Sequence, residues 1–180
     1  MQSIRDPLTG LYNRRYLEEA GERELHRLDR REQTGGLLMM DLDQFKTFND
    51  TFGHDGGDVL LRAFGQFLRD HLRKEDIGCR YGGEEFSVLL SESSLVDTVQ
   101  RANELRSEVK RLSVQHRGRH LDTVTISIGV ASYPTDGATI GDLISAADSA
   151  LYFAKARGRD CVVAASALPA AEISAPSERG

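Results

Sequence analysis

The stretch "RYGGEEFSVLL", residues 80–90, decides the fold because it places a turn between two apolar segments. The residues after the turn alternate in the manner of a half-buried strand. Gly82-Gly83 predicts a tight hairpin turn, since glycine accepts the positive φ angles that such turns need. Glu84 and Glu85 place two like charges side by side at the tip. They are either solvated turn residues or carboxylates that a cation draws together.

A second acidic segment, "MMDLDQFKTFND" at residues 39–50, favours the cation. Asp41 and Asp43 close an apolar run typical of a buried central strand, and strand side chains two residues apart share one face. Carboxylates at a buried edge repel each other unless a metal or a base pairs with them. Mg²⁺ binds carboxylates together with phosphate oxygens, and Lys46 offers a positive charge to the same phosphates. A D-x-D pair alone also ends ordinary strands or caps helices.

Composition limits the class of protein. With 180 residues, the chain is long enough for one domain with a proper core. A net charge of −5 provides no basic stripe, which argues against nucleic-acid binding. Cys79 and Cys161 lack CxxC spacing and are typical of thiols in a reducing cytoplasm, so no zinc site is expected. The sequence contains no apolar run of membrane-spanning length and no signal-peptide core. These residues are therefore predicted to be cytoplasmic and to make no membrane contact. A longer parent chain is compatible with a membrane anchor elsewhere.

Apolar periodicity divides the chain into strands and helices around the inserted hairpin, which predicts an α/β or α+β fold with one central sheet. Asp58 is predicted to begin a helix as its N-cap, and Gly158 to follow the end of another. From Ala164 onward, alanine, serine and proline dominate, and this segment is predicted to be disordered. The predicted helices cover residues 13–31 (exposed), 58–73, 95–112 and 139–158, and the predicted strands lie within residues 35–45, 79–90 (the hairpin), 122–133 and 161–164.

Four separated motifs resemble the GGDEF family of diguanylate cyclases, in which GGEEF is an accepted variant of the name-giving motif. The resemblance extends from Asp6 to Val163 and implies an α+β fold. Its palm-like, mostly antiparallel central sheet is flanked by helices, as in polymerase palms and nucleotide cyclases. The implied organisation is a GGDEF domain at residues 1–163 and a disordered tail at residues 164–180. The motifs are "DPLTGLYNRR" at 6–15, "DLDQFKTFNDTFGHDGGD" at 41–58, "GGEEF" at 82–86 and "ALYFAKARGRD" at 150–160.

The family joins two GTP molecules into cyclic di-GMP and releases two pyrophosphates where two domains face each other. The resemblance implies a Mg²⁺-dependent nucleotidyltransferase, with Mn²⁺ as an alternative, that works as a homodimer in bacterial second-messenger signalling. Asp41, Glu84 and the main-chain carbonyl of Leu42 are the implied metal ligands, and Glu84 is also the implied base for the 3′-hydroxyl group. Glu85 is either a further ligand or a solvated turn residue.

The implied guanine contacts also have a physical explanation. Guanine presents two N–H donors on its Watson–Crick edge, which one carboxylate accepts well, whereas adenine presents an acceptor there. Asp58 and Asn49 stand where the family contacts the base. Asp58 is compatible with an additional role as a helix N-cap, whereas Asn49 is alternatively a turn residue.

The other implied substrate contacts are Phe45, Lys46, His54, Gly82, Gly83, Lys155 and Arg159. The alternative for His54 is packing within its loop. The alternative for Lys155 and Arg159 is a favourable positive charge at the end of a helix.

Two further features bear on substrate binding and regulation. Asp160 stands where the family usually has asparagine, and it either adds a negative charge near the phosphates or caps the turn. The segment "RKED" matches the family's RxxD inhibitory site, with Arg73 and Asp76 as the pair that binds cyclic di-GMP. The further arginine that completes this site in some members is replaced by Glu104, and Arg106 is a nearby substitute.

Three functions are consistent with these residues. The first is an active diguanylate cyclase, and the second is a non-catalytic cyclic di-GMP receptor that uses the RxxD site. The third is a regulatory GTP-binding module. Degenerate family members typically lose the metal-binding aspartate or the hairpin glutamate. Asp41 and Glu84 are both present, which favours the first function.

Overall fold

The computed structural model describes residues 2–169, and Met1 and residues 170–180 lie outside the described part. Within it the chain forms four α-helices and eight strands, six of which make the central sheet while the other two pair as a separate hairpin. The helices are α1 (Arg14–Arg30), α2 (Phe45–His71), α3 (Leu95–Glu108, continued by a 3₁₀ turn at Val109–Arg111) and α4 (Ile140–Ala156), and a second 3₁₀ turn covers Ala165–Ala167. The strands are β1 (Tyr12–Asn13), β2 (Gly35–Leu42), β3 (Ile77–Arg80), β4 (Glu85–Leu90), β5 (Gln115–His116), β6 (Arg119–His120), β7 (Ile126–Tyr133) and β8 (Val162–Ala164).

The central sheet has the strand order β1-β3-β4-β2-β7-β8. Strand β2 lies between β4 and β7 and is antiparallel to both, and β3 is antiparallel to β4. The outer pairs, β1 with β3 and β7 with β8, are parallel. The predicted α+β fold with a mostly antiparallel central sheet is therefore confirmed.

Helices cover both faces of the sheet. Successive side chains of β2 point to opposite faces, so Leu38 and Met40 pack with α2 and α3, whereas Leu37 and Met39 pack with α1 and α4. All of β2 is buried as a result, as the apolar run predicted. The approach of α4 is close enough to require glycine at position 129 of β7, where a Cβ atom would lie 2.0 Å from the carbonyl oxygen of Ala147.

Two predictions made from periodicity alone were wrong. Strand β4 is not half-buried, because residues 86–90 are buried on both faces between the two helical layers. Helix α1 is not simply exposed, since Leu17, Leu25 and Leu28 are almost completely buried on one side of it. The short hairpin formed by β5 and β6 was not predicted, because its four strand residues carry no apolar alternation.

The C-terminal boundary also differs from the prediction. Ala164 ends β8, and the 3₁₀ turn that follows carries Ala165, which is fully buried. Leu168 is 6% exposed and joins the core beside α4. The prediction of disorder from Ala164 is therefore wrong up to this residue, because two apolar side chains anchor the segment. The rest of the predicted tail, residues 170–180, lies outside the described residues.

Among residues 2–169, no helix is both long enough and apolar enough to cross a lipid bilayer.

Candidate active site

The candidate site is centred on the end of β2. Asp41 is only 6% exposed, and its position in the sheet register is opposite Glu85 of β4 on one side and Ser127 of β7 on the other. The amide of Leu42 donates to the carbonyl oxygen of Glu84 over 3.3 Å. Antiparallel pairing thus brings the acidic end of β2 beside the two glutamates of the β3–β4 hairpin, as the sequence predicted.

The carboxylate of Asp41 is held in an unfavourable environment for a charge. The pKa of Asp41 is raised to about 6, mainly by burial and also by the nearby Glu84 and Glu85, while Lys155 opposes the increase. The ammonium group of Lys155 donates to Oδ2 of Asp41 from the last turn of α4. This cluster of three carboxylates and one ammonium group attracts cations, because neutralising any of the carboxylates relieves repulsion among them.

The hairpin turn itself forms as predicted, but for a different reason. Neither Gly82 nor Gly83 has a positive φ angle, so the prediction of left-handed glycines was wrong. The turn is closed instead by the carbonyl oxygen of Glu85, which accepts from the amides of Tyr81 at 2.8 Å and Gly82 at 3.2 Å. A Cβ atom at Gly83 would meet no neighbouring atom within 4 Å, so the backbone there is open to a ligand.

Arg80 holds the tip of the hairpin, a role that sequence reasoning missed. Its Nε and Nη2 atoms donate to the carbonyl oxygen of Gly83 at 3.1 and 2.9 Å, and Nη1 lies 3.2 Å from a carboxylate oxygen of Asp6. Asp6 also accepts from the amide and hydroxyl groups of Thr9, both at 2.8 Å. The N-terminal segment is therefore bonded, through one guanidinium group, to the loop that carries Glu84.

Asp43 is a structural junction rather than a free acid at the strand end. Its carboxylate accepts hydrogen bonds from the hydroxyl groups of Thr125 and Ser127, both at 2.6 Å, and from the amide of Asp160 at 3.0 Å. These donors belong to the approach to β7, to β7 itself and to the α4–β8 turn. The two aspartates of the D-x-D pair therefore have different roles. Asp41 lies beside the glutamates of the hairpin, whereas Asp43 links three chain segments by hydrogen bonds.

The predicted guanine contacts, Asn49 and Asp58, both lie on α2, and this helix begins earlier than predicted. Helix α2 begins at Phe45, not at Asp58, and is interrupted at Gly53, where φ is 77° and ψ is 168°. Asp58 lies five residues after this kink and is exposed, so it is not a helix N-cap. Asn49 lies on the first half of α2 and not in a turn, and its buried Oδ1 atom has no hydrogen-bond partner.

The remaining predicted contacts surround these groups. Lys46 and His54 are exposed on α2, while Phe45 is partly buried and packs against the core. Arg159 is exposed in the turn after α4, beside an open cavity of about 320 Å³ whose wall also includes residues of α2 and of the segment that precedes β7. The cavity lies next to the junction at Asp43, which forms part of its wall.

The predicted inhibitory pair is formed at the open end of the β3–β4 hairpin, away from its tip. Asp76 is 7% exposed, and the guanidinium group of Arg73 approaches it to 3.3 Å and also donates to the carbonyl oxygen of Ser91 at 3.0 Å. Arg101 of α3 lies 4.0 Å from the same carboxylate. Arg106, the substitute named from the sequence, pairs with Asp160 instead, so that expectation was wrong.

No group of three or more His, Cys, Asp or Glu side chains is arranged as a preformed metal cage anywhere in residues 2–169. A cage is not required for Mg²⁺, which is usually bound by one or two carboxylates together with substrate phosphates and water. Asp41 with a glutamate of the hairpin meets that condition.

Comparison with known proteins identifies the family. Residues 3–161 match the family described as diguanylate cyclase, GGDEF domain. The chain belongs to the GGDEF family. It is 43% identical over 167 residues to the response regulator PleD of Caulobacter vibrioides, covering 89% of this chain and 36% of that protein. It is 38% identical over 157 residues to the diguanylate cyclase DosC of Escherichia coli, covering 87% of this chain and 34% of that protein.

Solved structures place the fold in the same GGDEF family. The GGDEF domain of DgcB from Caulobacter crescentus, crystallised in complex with c-di-GMP, superimposes with a TM-score of 0.84 at 30% identity, over 92% of this chain and 94% of that chain. The active GGEEF domain of a diguanylate cyclase from Vibrio cholerae gives a TM-score of 0.76 at 28% identity, over 84% and 96% of the two chains. This GGDEF chain spans about a third of the length of the curated relatives that it matches.

Proposed function

We propose that this domain is a diguanylate cyclase that condenses two GTP molecules into cyclic di-GMP and releases two pyrophosphates. The observation that carries the proposal is the juxtaposition of the buried Asp41 with Glu84 and Glu85 at the hairpin and with Lys155. A receptor that only binds product has no need to keep a buried carboxylate among like charges. Enzymes of phosphoryl and nucleotidyl transfer need such groups to hold metal and phosphate.

Asp41, the carbonyl group of Leu42, Glu84 and Glu85 are the proposed ligands of Mg²⁺, or of Mn²⁺ in its place. The raised pKa of Asp41 supports this assignment, because a divalent cation compensates both the burial and the repulsion from Glu84 and Glu85 that raise it. When bound, the metal would neutralise the negative charge that develops on the phosphates as pyrophosphate leaves. Lys155 is 37% exposed at its side chain, so its ammonium group has room to turn from Asp41 toward a phosphate oxygen.

The other proposed roles belong to residues around this centre. Glu84 accepts the proton of the 3′-hydroxyl group, and Arg159 joins Lys155 on the triphosphate. Asp58 accepts the N–H donors of guanine. It is exposed and takes no part in capping the helix, so its carboxylate is free for this purpose. Phe45, Lys46, Asn49, His54, Gly82 and Gly83 complete the proposed substrate contacts.

Each domain holds one GTP in this proposal, so catalysis requires two domains with facing sites. The 3′-hydroxyl group bound by one domain then attacks the α-phosphate bound by the other. Turnover per protein should therefore rise with protein concentration in the dilute range, and segments outside this chain in a longer protein would set the effective concentration.

Arg73, Asp76 and Arg101 support a second proposed property, the binding of cyclic di-GMP at a site separate from the GTP pocket. Arg73 is exposed, while the carboxylate of Asp76 is fixed by the amide of Arg73 over 2.9 Å. A guanidinium group of this kind forks to or stacks on guanine. In an active enzyme the site mediates product inhibition, and in an inactive one it makes the domain a receptor.

The experiment that tests the proposed activity is incubation of the purified protein with GTP and Mg²⁺, followed by chromatography of the products. Cyclic di-GMP and pyrophosphate are expected. Glu84→Gln keeps the shape of the side chain but removes a ligand and a base, so turnover should fall by at least about 100-fold. Wild-type protein that binds cyclic di-GMP without making it would establish the receptor function instead, and unchanged turnover in the variant would remove Glu84 from the mechanism.

A further inference from the structure

The turn between α4 and β8 has an unusual backbone for its sequence. Three consecutive residues have positive φ angles: Gly158 at 108°, Arg159 at 64° and Asp160 at 46°. Glycine adopts this region freely, but residues with a Cβ atom do not. Such a conformation at two adjacent non-glycine residues persists only where surrounding contacts impose it.

Besides the hydrogen bond from the amide of Arg159 to the carbonyl oxygen of Ala154 at 3.1 Å, the contacts come from Asp160. Its carboxylate lies 3.1 Å from Nη1 of Arg106 and 2.7 Å from Nζ of Lys110, which come from the end of α3 and the 3₁₀ turn after it. Arg106 also donates to the carbonyl oxygen of Asp160 at 3.3 Å. The amide of Asp160 donates to Asp43, so the residue is held at its side chain and at both of its peptide groups.

These contacts also neutralise the charge of Asp160. Burial acts to raise the pKa of Asp160, but hydrogen bonds and ion pairs with Lys110 and Arg106 outweigh it and lower the pKa. The carboxylate is therefore ionised and directed at α3. The sequence suggested that the negative charge of Asp160 could disfavour phosphate binding. In the structure, Arg106 and Lys110 balance this charge within hydrogen-bond distance.

We propose that Asp160 is a positioning residue for triphosphate binding, which it serves by holding Arg159 in place through Arg106, Lys110 and Asp43. The inference rests on the proposed function, since it takes Arg159 as a triphosphate contact. Arg159 itself is exposed, so the turn sets the direction in which its side chain leaves the backbone. Release of Asp160 from α3 lets the turn leave its left-handed conformation and moves Arg159 away from the phosphates.

The coupling is specific because the two cationic partners of Asp160 are not among the proposed substrate contacts. Arg106 and Lys110 belong to α3 and its 3₁₀ extension, which contribute none of the proposed ligands of GTP. Asp43 joins the same turn to Thr125 and Ser127. A change at Asp160 should therefore act on the phosphate end of the nucleotide and spare the guanine end.

The test is the affinity of the Mg²⁺-loaded protein for the α,β-methylene analogue of GTP, which cannot release pyrophosphate, measured by titration calorimetry. Asp160→Ala and Arg106→Ala should each weaken this binding by about three- to thirty-fold, the range for loss of charge-assisted contacts that act indirectly. Arg106→Lys should restore most of the affinity. Affinity for GMP should be unchanged in all of these variants, because GMP lacks the two phosphates that Arg159 is proposed to contact.

A matched control is Arg111→Ala, which removes a cation from the same 3₁₀ turn. The side chain of Arg111 is 80% exposed, and within residues 2–169 its ion pair is with Glu108 alone. It should bind the analogue as wild type does. The second measurement repeats Asp160→Ala in an Arg159→Ala background. If Asp160 acts through Arg159, adding Asp160→Ala to the Arg159→Ala variant should cause no further loss of affinity for the analogue. A general destabilisation by Asp160→Ala would weaken binding in both backgrounds.

The outcomes distinguish a failure of the positioning role from a failure of the proposed function. If wild-type protein binds the analogue and Asp160→Ala binds it equally well, or loses equal affinity for GMP, the positioning role is overturned and the proposed function stands. Equal losses with and without Arg159 overturn it as well. If wild-type protein does not bind the analogue, both the proposed function and this inference are overturned.

Discussion

Replacing Asp41 with asparagine is expected to stabilise the metal-free domain while abolishing the proposed activity. The side chain of Asp41 is 8% exposed, and its pKa is raised from 3.8 to about 6, mainly by burial. A pKa change of this size corresponds to about 3 kcal/mol of unfolding free energy, since each unit is worth about 1.4 kcal/mol. Asparagine is neutral and does not bear this cost. Lys155, which loses its partner, is exposed enough to be hydrated.

The pH dependence follows from the direction of the pKa change. The pKa of Asp41 is higher in the folded chain than in the unfolded chain, so the folded state binds the proton more tightly. The stability linked to this proton is fully present below about pH 3.8 and is lost as the pH rises through about 6. The advantage of Asp41→Asn over wild type should therefore be about 3 kcal/mol at pH 8 and about half of that at pH 5.

Urea unfolding in the presence of EDTA, at pH 8 and pH 5, measures this difference. Asp6→Asn is a control of opposite sign. Burial acts to raise the pKa of Asp6, but hydrogen bonds from Thr9 and the charge of Arg80 outweigh it and lower the pKa. This control variant should lose stability at pH 8 and lose less as the pH falls. No gain for Asp41→Asn at pH 8, or an equal gain at both pH values, would refute the reasoning.

Two further predictions concern recognition. Asp58→Ala should leave the unfolding temperature unchanged, because the side chain is exposed and is not a cap, and should weaken GTP binding by about 1–3 kcal/mol. Calorimetry with inosine triphosphate, which lacks the 2-amino group, should show a smaller loss; equal losses would mean that Asp58 does not contact that group. Product titration should show inhibition that excess GTP does not overcome, and this inhibition should weaken about tenfold or more in Arg73→Ala and less in Arg101→Ala. Equal inhibition of wild type and both variants would place the product in the GTP pocket.

The order of strands and helices was largely predictable because apolar patterning reports local burial. The run at residues 35–42 predicted the central strand, and Gly158 predicted the end of α4, where it has a φ angle of 108°. Helix α2 was harder to place. Its first half, from Phe45 to Phe52, contains polar and charged residues that patterning assigned to a loop, and only packing of Phe48 against the core identifies it as a helix.

The sequence by itself determined the family and the residue types of the candidate site, because the motifs carry their chemistry locally. Asp41 and Glu84 are recognisable in their own short segments, and so is the RxxD pair. Tertiary structure alone decided which polar groups meet. Arg80 with Asp6, Asp43 with Thr125, and Arg101 beside Asp76 join segments that are far apart in the chain. An ion pair or hydrogen bond depends on distances of a few ångströms that the packing of helices against the sheet sets, and no local pattern encodes those distances.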